Sequence, residues 1–270
     1  QVEAERARKL RSPNQNVTVL SSRELEEQMA NNMEEAIRYI PGVSIVDMGR
    51  FGDNGFNIRG LESDRVAITV DGLSMAESVE TARSYEFFRA GQGDVDIDTL
   101  KSLAVVKGAD SITAGSGALG GAVVLVTKDP SDYLKASGND THVGLKTGYS
   151  GANDETMGTV SFANRTGIVE SMLVYTRREG HEGASWYDTT HDRAGVGRRT
   201  PDPVDSTRDN LLGKVDVVLS EAQRIGVVYE RGRATSEVDN LSRVYSPGYL
   251  SRRGHDTNDR DHVGLRYQWT

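Results

Sequence analysis

Val105 to Pro130 reads VVKGADSITAGSGALGGAVVLVTKDP. Two apolar runs, Leu103 to Val106 and Ala122 to Thr127, flank a loop of Gly, Ser and Ala. Each run has the length and β-branched content of a buried strand. Gly115, Gly117, Gly120 and Gly121 let the intervening backbone turn tightly, with φ > 0 where the turn demands it. The residues alone predict a glycine-rich turn between two buried strands.

Gly115-Ser116-Gly117-Ala118-Leu119-Gly120 also satisfies G-x-G-x-x-G. A dinucleotide site needs a helix opening on those glycines, whose N-terminus holds the pyrophosphate. Here AVVLVT follows, which reads as a strand, and no Lys-Ser or Lys-Thr is present to make a P-loop. A soluble nucleotide-binding enzyme is therefore the alternative from another class, and detergent dependence of the purified protein separates it from a membrane protein.

The same stretch resembles the end of the plug domain of TonB-dependent outer-membrane receptors. Phe56-Asn57-Ile58-Arg59-Gly60 and Arg65-Val66-Ala67-Ile68-Thr69-Val70-Asp71-Gly72 are similar to an earlier part of that plug. FNIRGLESDRVAITVDGLS followed by KGADSITAGSGALGGAVVLVTKDPSDYL is most similar to the haemoglobin, transferrin and lactoferrin receptor branch, leaning toward haem and haemoglobin receptors. The resemblance runs from Asn16 to Leu134. It implies an α+β plug domain followed by antiparallel transmembrane β-barrel strands, part of a twenty-two-stranded barrel. Residues 1–15 would be an N-terminal extension near the TonB-interacting segment, 16–134 the plug, and 135–270 the first strands and outer loops. The family's partner-recruiting box would fall at or before Gln1 to Ala4, where no apolar box appears, so it is expected upstream.

Composition agrees with this class without defining it. A length of 270 residues suits one or two domains. No run of eighteen apolar residues occurs, which excludes a transmembrane helix but not barrel strands, whose alternation averages out in hydropathy. The net charge of −8 argues against nucleic acid. Cysteine is absent, which removes disulfide and thiolate–metal chemistry from this chain. No signal peptide is visible at Gln1, so an exported chain would begin here after processing.

Along the plug, Asn16 to Leu20 reads as a strand, and Ser21 with Glu24 forms a capping box that opens a helix. Asn31 or Asn32 caps a second helix, whose Met33, Ala36, Ile37 and Ile40 share one face before Pro41-Gly42 stops it. Val43 to Val46, Gly55 to Gly60 and Val66 to Val70 read as strands, the last ending in the Asp71-Gly72 turn. Between Leu73 and Asp98 the pattern lapses. That stretch carries Arg83, Tyr85, Phe87, Phe88 and Arg89, either a binding loop or a loop packed down by its own rings.

After Pro130 the texture changes. Ser131 to Asp140 reads as a linker, and segments of about ten residues with period-two alternation follow. His142–Ser150, Met157–Asn164, Val169–Thr176, Leu211–Leu219, Ile225–Glu230 and His262–Thr270 give six strands. A soluble sandwich alternates in the same way. The connections alternate in length, with Arg177–Asn210 and Arg231–Asp261 long and polar, as in a membrane barrel with long outer loops. Tyr149, Tyr175 and Tyr229 then fall at the outer ends of rising strands and Trp269 at the inner end of a descending one, the places of aromatic girdles.

All five histidines follow the plug. His142 and His262 lie in predicted strands and are expected to hydrogen-bond toward the lumen. His181, His191 and His255 are expected in outer loops. The resemblance implies transport rather than catalysis: haem taken from haemoglobin or another haem carrier, energised by the TonB complex in the periplasm. Haem is then the transported ligand, with no intrinsic cofactor. The location implied is the bilayer of the outer membrane of a Gram-negative bacterium. Ferric-siderophore or transferrin-iron uptake is the alternative within transport. Candidate ligand contacts are Arg83, Tyr85, Phe87, Phe88, Arg89, His181, His191 and His255. The plug lacks the histidine with which some receptors of this kind ligate haem, which leaves Tyr85 as an oxygen alternative for ferric iron, or ligation from loops beyond residue 270.

Overall fold

The computed structural model describes residues 16–47, 53–62, 65–75, 95–108, 118–183, 194–195, 197–220, 222–242 and 253–269. The plug begins with β1 (Val17–Ser21), α1 (Ser22–Glu27) and α2 (Met33–Ile37). It continues through β2 (Val43–Asp47), β3 (Asp53–Ile58), β4 (Val66–Val70), β5 (Leu73–Ser74), β6 (Leu100–Lys107) and β7 (Gly121–Thr127). Ser21 caps α1 through the expected reciprocal pair with Glu24, and Asn32 caps α2 through Glu35 N. The sheet order is β1-β6-β7-β4-β5, with β4 parallel to β7 and the other pairs antiparallel. Strands β2 and β3 form a separate hairpin. Leu25, Met33, Ala36 and Ile37 of the helical segment pack on Leu100, Leu103, Val105, Val123 and Leu125 of the sheet, with Phe56 and Ile58 beside them.

The opening stretch forms an antiparallel pair, β6 with β7, as its apolar runs predict. The two last glycines act for different reasons. Gly121 has φ +148 and its backbone lies against Val106 O. Gly120 lacks the positive φ expected of it. It is small because a Cβ there would meet Leu61 Cβ at 2.6 Å. Gly115 and Gly117 lie outside the described residues. The glycines lead into a strand, so the helix of a dinucleotide site is missing where that reading requires it.

A six-stranded antiparallel meander follows: β8 (Asp140–Ser150), β9 (Glu155–Thr166), β10 (Val169–Gly180), β11 (Val204–Val218), β12 (Gln223–Asp239) and β13 (Arg253–Trp269). It is called the wall below. One face carries Val143, Leu145, Phe162, Leu173, Val215, Val227, Val263 and Leu265, all exposed, with Leu265 80% accessible. The other face buries Thr159, Thr176, Arg178, Asn210, Lys214, Asp216 and Glu230. An apolar band turned outward and a polar face turned inward is the inverse of a soluble sheet and fits a wall facing lipid.

Two expectations are corrected. The long connections are shorter than the sequence pattern gave, because β11 starts at Val204, β12 runs to Asp239 and β13 starts at Arg253. Beyond the lipid both faces meet water and turn polar, so alternation vanishes while the hydrogen-bond ladder continues. His255 therefore lies in β13 and not in a loop. The linker packs on the wall. A short 3-10 turn, Pro130–Asp132, starts it, and Leu134 is buried with Ala163, Met172, Val174 and Leu212 of the wall.

Candidate functional site

The plug meets the wall through buried charge. Among the described residues, Asp71, Asp96, Asp98, Thr127 and Asp129 of the plug make these contacts. All lie at one end of the plug sheet, where β4 and β7 finish and β6 begins. The Asp71-Gly72 turn has φ +50 and +84 and brings the Asp71 carboxylate to that end, where it accepts from Thr127 N at 2.8 Å. In sequence this was a turn signal alone.

The first cluster surrounds Asp98. Arg178 donates from Nε to Asp96 at 2.8 Å and from Nη2 to Asp98 at 2.9 Å. Lys146 Nζ and Thr159 Oγ1 also donate to Asp98, the latter at 2.9 Å. Burial pushes the Asp98 carboxyl up. Lys146, Arg178 and Thr159 outweigh it and hold the group below its ordinary value. Behind them Glu155 sits 3.6 Å from Arg178 and 3.1 Å from Arg208.

The second cluster surrounds Asp129. Lys214 Nζ lies 3.0 Å from Asp129, 3.4 Å from Asp71 and 3.4 Å from the Thr127 carbonyl. Arg266 bridges Asp129 at 3.1 Å and Asp216 at 3.2 Å. Burial raises the Asp129 carboxyl, and Lys214, Arg266 and Lys101 bring it below its ordinary value. Both clusters tie the plug to the wall through charges that are largely shielded from water.

Of the expected ligand residues, Arg83, Tyr85, Phe87, Phe88, Arg89 and His191 lie outside the described residues. His181 follows β10 and places Nδ1 2.7 Å from Asp205. His255 faces Glu237 at 3.4 Å. The ladders put His181, Asp205, Glu237 and His255 in one cross-strand row, with His181 three residues past Arg178 of the first cluster. His142 and His262 face the lumen as expected: His142 approaches Ser161 at 3.4 Å and Tyr133 at a 5.0 Å ring separation, and His262 lies 3.8 Å from Glu230. Tyr149, Tyr175 and Tyr229 each donate a phenol proton to an aspartate, Asp154, Asp209 and Asp261, at 2.5, 2.5 and 2.8 Å.

Residues 9–122 match the family model of the TonB-dependent receptor plug domain. With a lipid-facing wall joined to that plug, the chain belongs to the TonB-dependent receptors. The family is one of receptors and transporters rather than enzymes, and membership implies a protein of the Gram-negative outer membrane. The chain is 34% identical to a hemoglobin and hemoglobin-haptoglobin-binding protein A of Haemophilus influenzae, over 90% of this chain and 24% of that one. It is likewise 34% identical to a hemoglobin-haptoglobin utilization protein B of Neisseria meningitidis, over 90% of this chain and 34% of that one. It thus spans about a quarter to about a third of the length of these relatives. In fold it matches the FrpB iron transporter of Neisseria meningitidis with TM-score 0.73, at 19% identity over 94% of this chain and 38% of that one. The ferric enterobactin receptor PfeA of Pseudomonas aeruginosa gives 0.68 at 18%, over 98% of this chain and 39% of that one.

Proposed function

We propose that the whole receptor takes haem from haemoglobin at the cell surface and passes it through the outer membrane with energy from the TonB complex. The observation that carries this is the similarity, at 34% over nine-tenths of the chain, to proteins named for binding haemoglobin and haemoglobin–haptoglobin. The structural neighbours, at 18 and 19% identity, speak to fold alone. In this reading the two charge clusters seat the plug on the wall, the outer strands carry the loops that meet the carrier, and haem is cargo rather than a resident cofactor. No bond is made or broken by the receptor itself.

Ligand capture is assigned to Arg83, Tyr85, Phe87, Phe88 and Arg89 on the plug and to His181, His191 and His255 outside. Aromatic rings present a flat apolar surface to a porphyrin, and arginines pair with its propionates. The test uses the full-length receptor in a haem-requiring strain. Growth on haemoglobin and binding of labelled haemoglobin are expected, with an absorbance change in the purified receptor after mixing. Tyr85→Ala with Phe88→Ala should weaken haem capture at least tenfold with the plug still folded by limited proteolysis. Growth on ferric siderophores or transferrin but not on haemoglobin would overturn the cargo assignment.

A further inference from the structure

The linker that joins plug to wall is fastened at both ends by one run of alternating charges. Asp129, just before the Pro130–Asp132 turn, holds Arg266 at 3.1 Å. Arg266 passes to Asp216, Asp216 to Arg224 at 3.3 Å and Arg224 to Glu170 at 3.1 Å. Glu170 holds Arg165 at 2.7 Å, and Arg165 donates to the carbonyls of Lys135 and Gly138 at 2.7 and 3.3 Å. The run leaves the chain at Asp129, crosses the wall and returns at Lys135 and Gly138. Between those points Leu134 is buried in the apolar cluster of the wall. Asn139 accepts from Gly167 N at 2.9 Å, which fixes the far end of the linker to the β9–β10 turn.

The opposite end of the plug sheet is held differently. Lys107 N donates to Asn16 O, Gly108 N to Gly120 O and Gly120 N to Arg65 O, all within the plug. β1 is an edge strand whose ladder runs to β6 alone.

We propose that residues 127–139 move with the wall. The linker is a fixed hinge, and during transport the plug opens from the far end of its sheet while Asp129 stays on Lys214 and Arg266. This rests on the transport reading above. Its physical basis is cooperative: releasing Asp129 takes the nearest carboxylate from Lys214, which is almost wholly buried and keeps only Asp71 at 3.4 Å and the Thr127 carbonyl, and shifts each charge along the run to Arg165. Opening at the far end breaks backbone hydrogen bonds one at a time.

The chain holds no cysteine, so Asp129→Cys with Lys214→Cys in a full-length receptor freed of other thiols can be bridged by a short bis-maleimide. Haem uptake from haemoglobin by the bridged pair is expected within twofold of the unbridged pair. A tenfold loss on bridging, with haemoglobin binding intact, overturns the hinge. Because those changes remove an ion pair, the unaltered receptor supplies a second measurement. On addition of haemoglobin and a purified TonB C-terminal fragment, hydrogen exchange at the amides of Lys107 and Gly108 should quicken. The amides of Asp132, Tyr133 and Lys135 should not change. A tenfold rise at the linker amides, or none at the far end, overturns the proposal. An unaltered receptor that takes up no haem tells against the transport reading instead, and exchange still decides the hinge.

Discussion

Lys214 Nζ lies 3.0 Å from Asp129 Oδ1, with 3% and 8% of the two side chains exposed, one on the third-last strand of the wall and the other at the end of the plug sheet. Neither charge is well solvated, and each depends on the other. Lys214→Ala leaves Asp129 and Asp71 short of their cation and should destabilise plug seating by about 3–5 kcal/mol, the scale for one partner lost from a buried pair. Lys214→Met with Asp129→Asn should cost less than that single change. Plug unfolding in the detergent-solubilised receptor, followed by denaturant titration, gives the order. A milder single variant would show the pair to be well hydrated.

Acid should loosen the same contacts. Asp98 and Asp129 are held below the ordinary value of 3.8 in the folded protein. A carboxylate depressed on folding contributes its stability above the unfolded value and loses it as pH falls through the folded one. Plug stability should thus be flat from neutral pH down to about pH 5 and fall below about pH 4. Asp98→Asn should flatten that acid limb in a thermal melt followed against pH. A main loss between pH 6 and 7 would assign the effect to histidine.

Two adjacent glycines should fail for separate reasons. Gly120→Ala forces a methyl against Leu61, and overpacking of this kind costs about 1–3 kcal/mol. Gly121→Ala should be worse, since the backbone at φ +148 lies against a carbonyl that cannot yield as a side chain can. Limited proteolysis of the full receptor should release the plug most readily from the Gly121 variant. Equal resistance of both would remove the close approach as the reason for glycine.

The outward band should tolerate apolar exchange and reject charge. Leu173→Arg places a guanidinium on the lipid face of a central wall strand, where about 2–4 kcal/mol is lost at the bilayer midplane. Its neighbour Met172 faces the wall's buried cluster. Folding into vesicles, read by heat-modifiable gel migration, should fail or slow for Leu173→Arg and stay normal for Leu173→Ile.

The plug was largely legible from sequence because its signals are local. Ser21 with Glu24, Asn32, and Asp71-Gly72 each specify their own turn or cap, and the apolar runs at Leu103 and Ala122 declare buried strands. The charge clusters were not legible. Asp98 and Arg178 stand 80 residues apart, and nothing near either announces the other. Lys214 did fall on the polar face of an alternating strand, a lysine amid a lumen row, but the residue it answers belongs to a different unit. His255 was misplaced because its strand continues where both faces are polar. Tyr149 falls at the end of its strand as expected, whereas β10 and β12 continue five and ten residues past Tyr175 and Tyr229, and the aspartate that each phenol binds comes from a neighbouring strand or turn.

The last two strands run 17 residues each, against about 9–11 needed to cross the hydrocarbon. The surplus, about six residues at ~3.4 Å apiece, lifts the strand tips about 20 Å along the ribbon past the lipid. Cross-strand pairs such as Arg233 with Asp259 stiffen this overhang. The tips are therefore insulated from the insertion energy of the belt below. A residue exchanged near Glu237 or His255 should change the outer surface and leave the seating in lipid unchanged. Surface chemistry and anchorage are separable properties of the same strands, which leaves the outer tips free to diverge in sequence while the anchor is kept.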